Sequence, residues 1–352
     1  MRTRAAIILA ALASLAASAA DAAPYPASGL VTGASWDTAT YRSAGAGGDL
    51  WPVTAGADGK VYTAWGDGTV TCPVKVSYGV ASVAGGPSAA LRRVGCGTPG
   101  DKAGKLISLL DVAGTLFAVA YLQGRPDTHA VALWSSPDHG RTWRKPGPTF
   151  PGAAGALQPN SFVNFGPGYA GARDGYVYLT ATKAGTAPRA FYLMRVPRAG
   201  LGEAPYEYFA GTAAAPAWGG SPAAAVPVFA DPRGVNGQDV VRDAGLGRYL
   251  VTVGHGADGS DGGELGVFEG PEPWGPWRTV AYEERWLGIR GGSFLGLHLA
   301  SAWMADGGRT LWGVFGCWDR GGACGRYDDR YNLMRATLTV RGAAAATGRD
   351  AR

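Results

Sequence analysis

The sequence predicts an all-β fold, a five-bladed β-propeller with four-stranded antiparallel blades. Helical periodicity is almost absent, and short alternating strands rich in Val, Leu, Tyr, Phe and Trp recur between glycine-rich turns. One layout, a strand, a tight turn carrying glycine and a second strand, occurs five times at spacings of 55 to 72 residues, which leaves room for four short strands in each copy. The five turn glycines are Gly59, Gly114, Gly175, Gly247 and Gly308.

The outer part of the second copy carries the sequence SPDHGRTW, residues 136–143, which fits the Asp-box pattern S-x-D-x-G-x-T-W of propeller proteins. The pattern predicts a tight turn in which Asp138 folds back onto backbone amides while Trp143 packs beneath it. Residues 269–277 of the fourth copy match this pattern only in part. Asp138 is therefore interpreted as a structural carboxylate.

The start of the chain has the layout of a secretory signal, with two arginines, an apolar run and a small-x-small cleavage site. The apolar run is too short to span a bilayer, and no later stretch is long enough. We therefore expect residues 1–22 to be a signal peptide, 23–342 to form one propeller domain and 343–352 to be a disordered tail. The expected location is secreted or periplasmic, without membrane association after cleavage.

The charge of the chain is mild. The formal net charge of +5 at pH 7 falls to +4 when the signal segment, with two arginines and one aspartate, is removed. The basic residues are scattered, so nucleic-acid binding gains no support. The sequence has no Gly-x-Ser-x-Gly nucleophile elbow. Its glycines lie between predicted strands rather than before a helix, so it has no phosphate-binding glycine loop. No cofactor is expected, and the protein is expected to be a monomer.

The four cysteines predict two disulfides, because export makes such bonds stable. The simplest pairing joins Cys72 to Cys96 and Cys317 to Cys324, each closing a loop after a predicted strand. Zinc is the competing interpretation. The sequence has no Cys-x-x-Cys pair and only four histidines, so a metal held by cysteine is not expected.

The segment from Gly48 to Gly68, GDLWPVTAGADGKVYTAWGDG, predicts a hairpin with a carboxylate at each end. Asp49 opens the first strand, Asp58-Gly59 is a turn signal, and Asp67 closes the second strand. A strand out and a strand back return the chain to its starting level, so both carboxylates should lie at one end of the pair. Paired carboxylates suit acid/base cleavage of a glycosidic bond. The alternative is that both are turn aspartates.

The repeat predicts further residues at the same mouth of a central channel. Ten residues before each turn glycine an inner strand begins, and eight residues after it the next strand ends. Polar side chains gathered there are costly to enclose unless they face a ligand or water. The candidate substrate-binding residues are Lys105, Asn164, Asp239, His255 and His298, together with Trp51 and Trp65, which flank the hairpin aspartates.

Trp51 and Trp65 have two interpretations. Aromatic faces stack on sugar rings, but tryptophans also fill the space between propeller blades. The histidines His255 and His298 likewise have an alternative, in which they hold a structural channel ion such as calcium together with Asp49. Nothing else in the sequence supports that ion.

A third carboxylate with a raised pKa is expected to serve as proton donor. Our candidate is Glu264, which lies at the start of a third strand on the same face. Glu283, Glu284 and Asp239 are alternatives, and for each of them a solvated surface position is the competing interpretation.

Several segments resemble a secreted bacterial group described as a domain of unknown function. They are GDLWPVTAGADGKVYTAWGDG, FGPGYAGARDGYVYLTA, LGRYLVTV with PEPWGPW after it, and YNLMRATL. The group is similar to propeller glycoside hydrolases, and some relatives are endo-D-arabinanases. The resemblance implies a base or nucleophile at Asp49 and a second carboxylate at Asp67. The chain departs from the group at Ser301-Ala302-Trp303, where relatives have a Lys-Trp pair.

The sequence thus favours a secreted glycoside hydrolase-like propeller that cleaves a glycosidic bond of arabinan or another polysaccharide with a carboxylate pair at the channel mouth. The partner is then a carbohydrate substrate. The alternative is a non-catalytic carbohydrate-binding or structural propeller, in which the same aspartates only form hydrogen bonds to a ligand.

Overall fold

The computed structural model describes nine stretches of the chain, and they form an all-β protein without an α-helix. The described residues are 23–97, 103–122, 130–144, 147–185, 189–203, 205–256, 263–289, 293–319 and 321–342. The predicted signal segment and tail, 1–22 and 343–352, lie outside them.

Twenty-two strands make up the described residues, joined by turns and short 3₁₀ helices. The strands are β1 (Val31–Ala46), β2 (Asp49–Ala55), β3 (Lys60–Gly68), β4 (Val76–Ala84), β5 (Arg92–Cys96), β6 (Ala103–Val112), β7 (Thr115–Leu122), β8 (Val131–Ser136), β9 (Thr149–Phe150), β10 (Leu157–Asn164), β11 (Tyr176–Lys183), β12 (Ala190–Pro197), β13 (Glu207–Phe209), β14 (Trp218–Gly219), β15 (Pro227–Ala230), β16 (Asn236–Asp243), β17 (Arg248–Gly254), β18 (Leu265–Gly270), β19 (Arg278–Glu283), β20 (Ser293–Leu299), β21 (Thr310–Trp318) and β22 (Arg330–Val340). The 3₁₀ helices are Pro167–Tyr169, Arg198–Gly200, Pro222–Ala224, Trp286–Gly288, Ser301–Trp303, Asp306–Gly308 and Gly325–Tyr327.

The strands pair into antiparallel groups that follow the chain order. Two four-stranded sheets have the orders β2-β3-β4-β5 and β6-β7-β8-β9. A larger sheet runs from β14 through β10 to β16 and on to β19, with β15 beside β12, and its two halves meet where β10 and β16 pair in parallel. The first strands β2, β6, β10, β16 and β20 contact one another in cyclic order and so surround a common axis.

The last sheet combines the two ends of the described chain. Its order is β1-β22-β21-β20, so the N-terminal strand forms the outer edge of a sheet whose other strands come from the C-terminal part. The pairing extends from Val31 opposite Val340 to Ala46 opposite Arg330. This closure joins the last group of strands to the start of the chain.

Apolar side chains fill the spaces between neighbouring sheets. Phe229 on β15 stacks on Phe191 at 5.0 Å and meets the edge of Phe268 on β18 at 4.9 Å, which ties the two halves of the large sheet together. Such ring pairs contribute about 0.5–1.5 kcal/mol each beyond the area that they bury. The predicted disulfides Cys72–Cys96 and Cys317–Cys324 are both present.

The first hairpin, β2 and β3, forms as the sequence predicts but with a longer turn. The four residues 56–59 connect the strands, closed by a hydrogen bond from the Gly56 amide to the Lys60 carbonyl at 2.7 Å. Gly59 has a φ of 80°, a left-handed conformation that glycine adopts without strain. Asp49 lies opposite Gly66, so Asp49 and Asp67 are at the same end of the hairpin.

The turn at residues 136–143 folds its carboxylate inwards. One Asp138 oxygen accepts hydrogen bonds from the Ser136 hydroxyl at 2.7 Å and the Thr142 amide at 2.9 Å, and the other accepts one from the Thr142 hydroxyl at 2.7 Å. Hydrogen bonds to a carboxylate favour its ionised form, and here they lower the pKa of Asp138 to about 2 although desolvation opposes them. Both oxygens of Asp138 are therefore engaged in hydrogen bonds that stabilise the turn.

Candidate active site

A cavity lies at the end of the axis where the inner strands begin. Its volume is about 730 Å³, within the range of small-molecule sites. Starts of β6, β10 and β16 and ends of β3, β7 and β11 line it, so four successive groups of strands contribute. The polar lining residues are Asp67, Ser77, Lys105, Gln158, Asn160, Thr182, Lys183, Asn236 and Gln238. Amides and hydroxyls of this kind suit a ligand with many hydroxyl groups.

Asp49 forms the buried anionic centre beside this cavity. Its carboxylate makes an ion pair and hydrogen bond with Lys105, a lining residue, while only 11% of the Asp49 side chain is exposed. Burial raises the pKa of Asp49, Lys105 opposes the rise, and the charge of Asp67 adds to it. Within the described stretches the oxygen Oδ1 has no hydrogen-bond partner. A buried orphan oxygen of this kind is suited to a ligand or water.

A glycine makes the approach of Asp49 and Lys105 possible. A Cβ atom placed on Gly66, the residue opposite Asp49, would lie 2.6 Å from Oδ1 of Asp49 and 2.6 Å from Cγ of Lys105. No real side chain tolerates such contacts. The Gly-Asp pair near the end of β3 therefore has two functions. Gly66 leaves room for the ion pair, and Asp67 lines the cavity.

Asp67 differs from Asp49 in its surroundings. Its side chain is 56% exposed, lines the cavity and pairs with Lys75 at 3.0 Å. The two hairpin aspartates therefore form one buried and one solvated carboxylate within electrostatic reach of each other. Different environments for neighbouring carboxylates are what two different roles in catalysis require.

Asp329 is a third carboxylate of this group, and sequence reasoning missed it. It lies between β21 and β22, and its carbonyl accepts hydrogen bonds from the amides of Gly47 at 2.8 Å and Gly48 at 3.3 Å. Burial raises the pKa of Asp329, and the charge of Asp49 adds most to that rise among its neighbours. The signal was hidden because Asp329 belongs to the opposite end of the chain and to no repeated position.

Four of the ten non-glycine residues with positive φ in the described chain lie at this site. Leu50, Trp51 and Asp67 have positive φ values of 77°, 67° and 52°, and Asp329 has 50°. Non-glycine residues rarely adopt this conformation, and such strain is found at functional sites more often than elsewhere. In β2 it accompanies a break in the pairing register between Leu50 and Val53.

The two hairpin tryptophans are core residues. Trp51 and Trp65 are completely buried, 5.9 Å apart, and Trp51 also meets the edge of Tyr331 at 5.3 Å. The positive φ values at Leu50 and Trp51 turn the Trp51 ring inwards, and Trp65 covers Gly79 so closely that a Cβ there would lie 2.0 Å from the indole. Because both indoles are completely buried, they are not available to stack on a sugar ring, and the expectation that they do so is corrected. They fill the space between strands, as in the alternative interpretation.

Two predicted mouth residues lie deeper in the channel. Asn164 is the last residue of β10, whose mouth end is Leu157, and its side-chain oxygen accepts a hydrogen bond from the Thr54 hydroxyl at 3.2 Å. His298 is the penultimate residue of β20. In both sheets the connection to the second strand is longer than in the first hairpin because 3₁₀ helices are inserted, so counting ten residues back from the turn glycine does not reach the mouth end of the strand.

Asp239 belongs to the same deep network. Its carboxylate lies 3.9 Å from Nδ1 of His298 and accepts hydrogen bonds from the Leu299 amide at 3.2 Å and the Ser161 hydroxyl at 3.3 Å. These contacts connect Asp239 on β16 to the two neighbouring inner strands, β10 and β20. The side chains of this network thus contact one another between inner strands. The cavity is lined instead by Gln238, the residue next to Asp239.

His255 and Glu264 form a separate cluster at the outer part of the fourth group of strands. The His255 ring stacks on Tyr282 with centroids 3.8 Å apart, and burial lowers the pKa of His255 to about 4. Glu264 lies 3.9 Å from Arg233, which also binds Glu284 through both nitrogens. The structure joins Glu264 to this arginine cluster, whereas Asp329 is joined to the hairpin carboxylates.

The described residues contain no group of three or more His, Cys, Asp and Glu side chains arranged to hold a metal ion. Among them there is also no helix long and apolar enough to cross a membrane.

Comparisons with known proteins agree with this architecture. The family described as Domain of unknown function (DUF4185) matches residues 118–293. None of the curated proteins compared matches the chain.

Solved structures similar to this chain include glycoside hydrolase family 43 propellers. A Bacteroides ovatus protein solved as a candidate hydrolase has a TM-score of 0.54 and 13% identity, over 84% of this chain and 87% of that one. The GH43_1 enzyme from Xanthomonas citri, also solved with xylotriose, gives 0.53 and 11% over 86% and 93%. RS223-β-xylosidase gives 0.52 and 10% over 85% and 94%. At these identities the likeness shows a shared β-propeller fold.

Proposed function

We propose, from the premise that this chain belongs to the DUF4185 family, that it is a glycoside hydrolase on a five-bladed propeller. The cyclic contact of five inner strands supports the blade count. One observation carries the activity: Asp49, Asp67 and Asp329 are close enough for their charges to act on one another, around Lys105, beside a cavity lined with amides and hydroxyls. Paired carboxylates of this kind perform glycosidic cleavage.

Asp49 is assigned as the nucleophile or base. Its ion pair with Lys105 holds the carboxylate in place and opposes the pKa rise caused by burial. Asp329 is assigned as the proton donor because both burial and the charge of Asp49 raise its pKa, which keeps a proton available. Asp67, solvated and on the cavity wall, is the remaining carboxylate and positions substrate or water. Glu264 is the alternative proton donor.

The reaction consumes one water for each bond cleaved. The donor acid protonates the glycosidic oxygen as the bond from that oxygen to the anomeric carbon breaks. The hydroxyl of water ends on the anomeric carbon, directly in an inverting reaction or after a covalent intermediate in a retaining one, and its second proton returns to the carboxylates. The separation of the two reacting carboxyl groups decides between these courses, about 5–5.5 Å for retention and about 6.5–9.5 Å for inversion.

The test is a screen of arabinans, xylans and other plant and bacterial polysaccharides with the secreted form, followed by variants on any substrate that is cleaved. We expect Asp49→Asn, Asp67→Asn and Asp329→Asn each to lower kcat/KM by about 100-fold or more. Asparagine tolerates the left-handed backbone at Asp67 and Asp329, so these variants should fold. Asp306→Asn, at a left-handed turn between β20 and β21, is the matched control and should retain activity.

Glu264→Gln separates the two candidate proton donors. If Glu264→Gln greatly lowers kcat/KM while Asp329→Asn stays active, the proton donor is Glu264 in the arginine cluster and not Asp329. Full activity of Asp49→Asn would remove the carboxylate mechanism altogether.

The second candidate function is carbohydrate binding without cleavage. It is favoured by one observation: only 11% of the Asp49 side chain is exposed, and one of its two oxygens is engaged by Lys105. Binding of an oligosaccharide with no new reducing ends after prolonged incubation would select it.

A further inference from the structure

Four arginines lie on the outer side of the first two groups of strands. Arg92 and Arg93 begin β5, and Arg141 and Arg144 belong to the segment that follows β8. All four residues are exposed. β5 is the last strand of its sheet and pairs only with β4 among the described strands. We call these four residues the arginine edge.

Close packing of two glycines brings the two pairs of arginines together. A Cβ atom on Gly95 would lie 1.9 Å from the Gly140 carbonyl oxygen and 3.2 Å from Cα of Arg141. Gly95 follows Arg93 by two residues, a step of about 7 Å along a strand. The Cα atoms of Arg93 and Arg141 therefore lie within about 12 Å of each other. Both side chains can contact one extended anionic chain.

The arginine edge carries an excess of positive charge. None of its side chains forms an ion pair with another described residue. The Arg141 guanidinium donates to the Asp138 backbone carbonyl at 3.0 Å, while both carboxylate oxygens of Asp138 are engaged within its turn. Residues 69–97, which include β4 and β5, contain three basic residues and no acidic one. Asp138 thus supplies one negative charge beside four positive ones.

The arginine edge is separate from the candidate active site. Arg92 pairs with Ser82 on β4, whereas Ser77 of the same strand lines the cavity. Five residues along a strand correspond to about 17 Å. No arginine belongs to the described lining of the cavity. A ligand bound at the arginine edge therefore does not have to enter the cavity.

Protection of an edge strand explains only half of this surface. Charged side chains on an edge strand prevent it from pairing with another sheet, which suits Arg92 and Arg93. Arg141 and Arg144 belong to the next group of strands and do not cover that edge in the same way. Their addition to the pair on β5 makes a surface that extends over two groups of strands.

We propose that the arginine edge binds an acidic polysaccharide, one that carries carboxylate groups along its chain. A guanidinium binds a carboxylate through two parallel hydrogen bonds, and several such contacts on one chain act together although each is weak at a surface. A lipid surface fits less well, because the exposed large apolar side chains of the described residues are Val74 and Trp318, and neither belongs to the arginine edge. This inference does not rest on the proposed hydrolase function.

The test measures binding of the secreted form to immobilised polygalacturonate by biolayer interferometry, with dextran as the neutral polysaccharide. We expect binding to polygalacturonate and not to dextran at physiological salt, and weaker binding as salt is added. Arg93→Glu combined with Arg141→Glu should weaken the binding about tenfold or more, because like charges then face each other. The Asp-box pattern leaves position 141 open, so the turn should still form. Arg93→Lys with Arg141→Lys keeps the charge and should retain part of the affinity.

Arg278→Glu combined with Arg341→Glu is the matched control. Both positions are exposed, one at the start of β19 and one after β22, and the change in net charge is the same. This control should keep its affinity for polygalacturonate. No binding to polygalacturonate, or an equal loss of affinity in the control, overturns the proposal. Tighter binding to duplex DNA, or to vesicles of equal parts phosphatidylcholine and phosphatidylglycerol, also overturns it by assigning the surface to another class of partner.

Discussion

At the scale of single residues, the candidate site depends on how Asp49 is kept charged while buried. Desolvation favours the neutral acid, and the neighbouring Asp67 favours it further. Lys105 is the residue that works in the other direction, and it can approach because Gly66 has no side chain. Lys105 is therefore a positioning residue whose main effect should be on the pKa of Asp49.

Replacing Lys105 should shift the pH dependence of catalysis. In Lys105→Gln the pKa of Asp49 rises further because burial is no longer opposed. Asp49 then becomes protonated at a higher pH, so the acidic limb of the kcat/KM profile should move upwards by about one pH unit or more, the usual effect of a close opposite charge. Activity well above the new limb should recover in part, which a merely structural defect would not produce.

The control for this prediction is Lys60→Gln in the same hairpin. Lys60 pairs with Asp58 at 2.5 Å, but at the far turn, away from the cavity. Its pH profile should match that of the unchanged enzyme. A profile of Lys105→Gln that only drops in height, without moving along the pH axis, would contradict the role given to Lys105.

At the scale of elements, the two disulfides should differ in what they support. Cys72–Cys96 spans 24 residues and Cys317–Cys324 spans 7. From loop closure alone, we expect the paired alanine substitutions to cost about 3.5 and about 2.5 kcal/mol of unfolding free energy. The shorter bridge holds the segment that positions Asp329, so its loss should reduce kcat/KM more although it destabilises less.

Urea unfolding and kinetics of the two double-alanine variants test this separation. Loss of activity in proportion to loss of stability in both variants would show that neither bridge has a specific role at the site.

The sequence allowed some elements to be placed and not others. The hairpin with Asp49 and Asp67 was predictable because a strand, a glycine turn and a returning strand are local in sequence. Asn164 and His298 were misplaced along their strands because inserted 3₁₀ helices lengthen the connections from which the register was counted. Asp329 could not be found, because its position depends on contacts between residues almost 300 positions apart.

At the scale of the whole molecule, repetition in the sequence predicts five groups of strands but does not predict which strand joins the two ends of the described chain. The repeats begin near Gly48, whereas β1 precedes them and takes the outer-edge position that β5 and β9 hold in their own sheets. Its ring contact, Trp36 against Trp286 at 5.0 Å, reaches the neighbouring group of strands. Closure thus depends on a segment whose partner is the far end of the chain.

Removal of β1 should therefore weaken the whole molecule. A chain of residues 47–342 loses the buried Val31, the contact of Trp36 with Trp286, and every backbone hydrogen bond from β1 to β22. We expect a cost of several kcal/mol, on the order of 10 °C in Tm, relative to residues 23–342. The exposed edge of β22 should also promote association between molecules, because an unpaired edge strand can pair with another chain.

Scanning calorimetry and light scattering measure both effects, and Trp36→Ala in the 23–342 chain provides a milder version if the shortened protein does not fold. That variant should lower Tm by a smaller amount, since burial of one aromatic ring is lost while the strand pairing is kept. If β1 closes the ring, removal of β1 should lower Tm more than Trp36→Ala does. In both proteins activity should be lost only as the protein unfolds. An unchanged Tm in the shortened chain would mean that the ring is held together without β1 and that closure depends on the contacts between the inner strands alone.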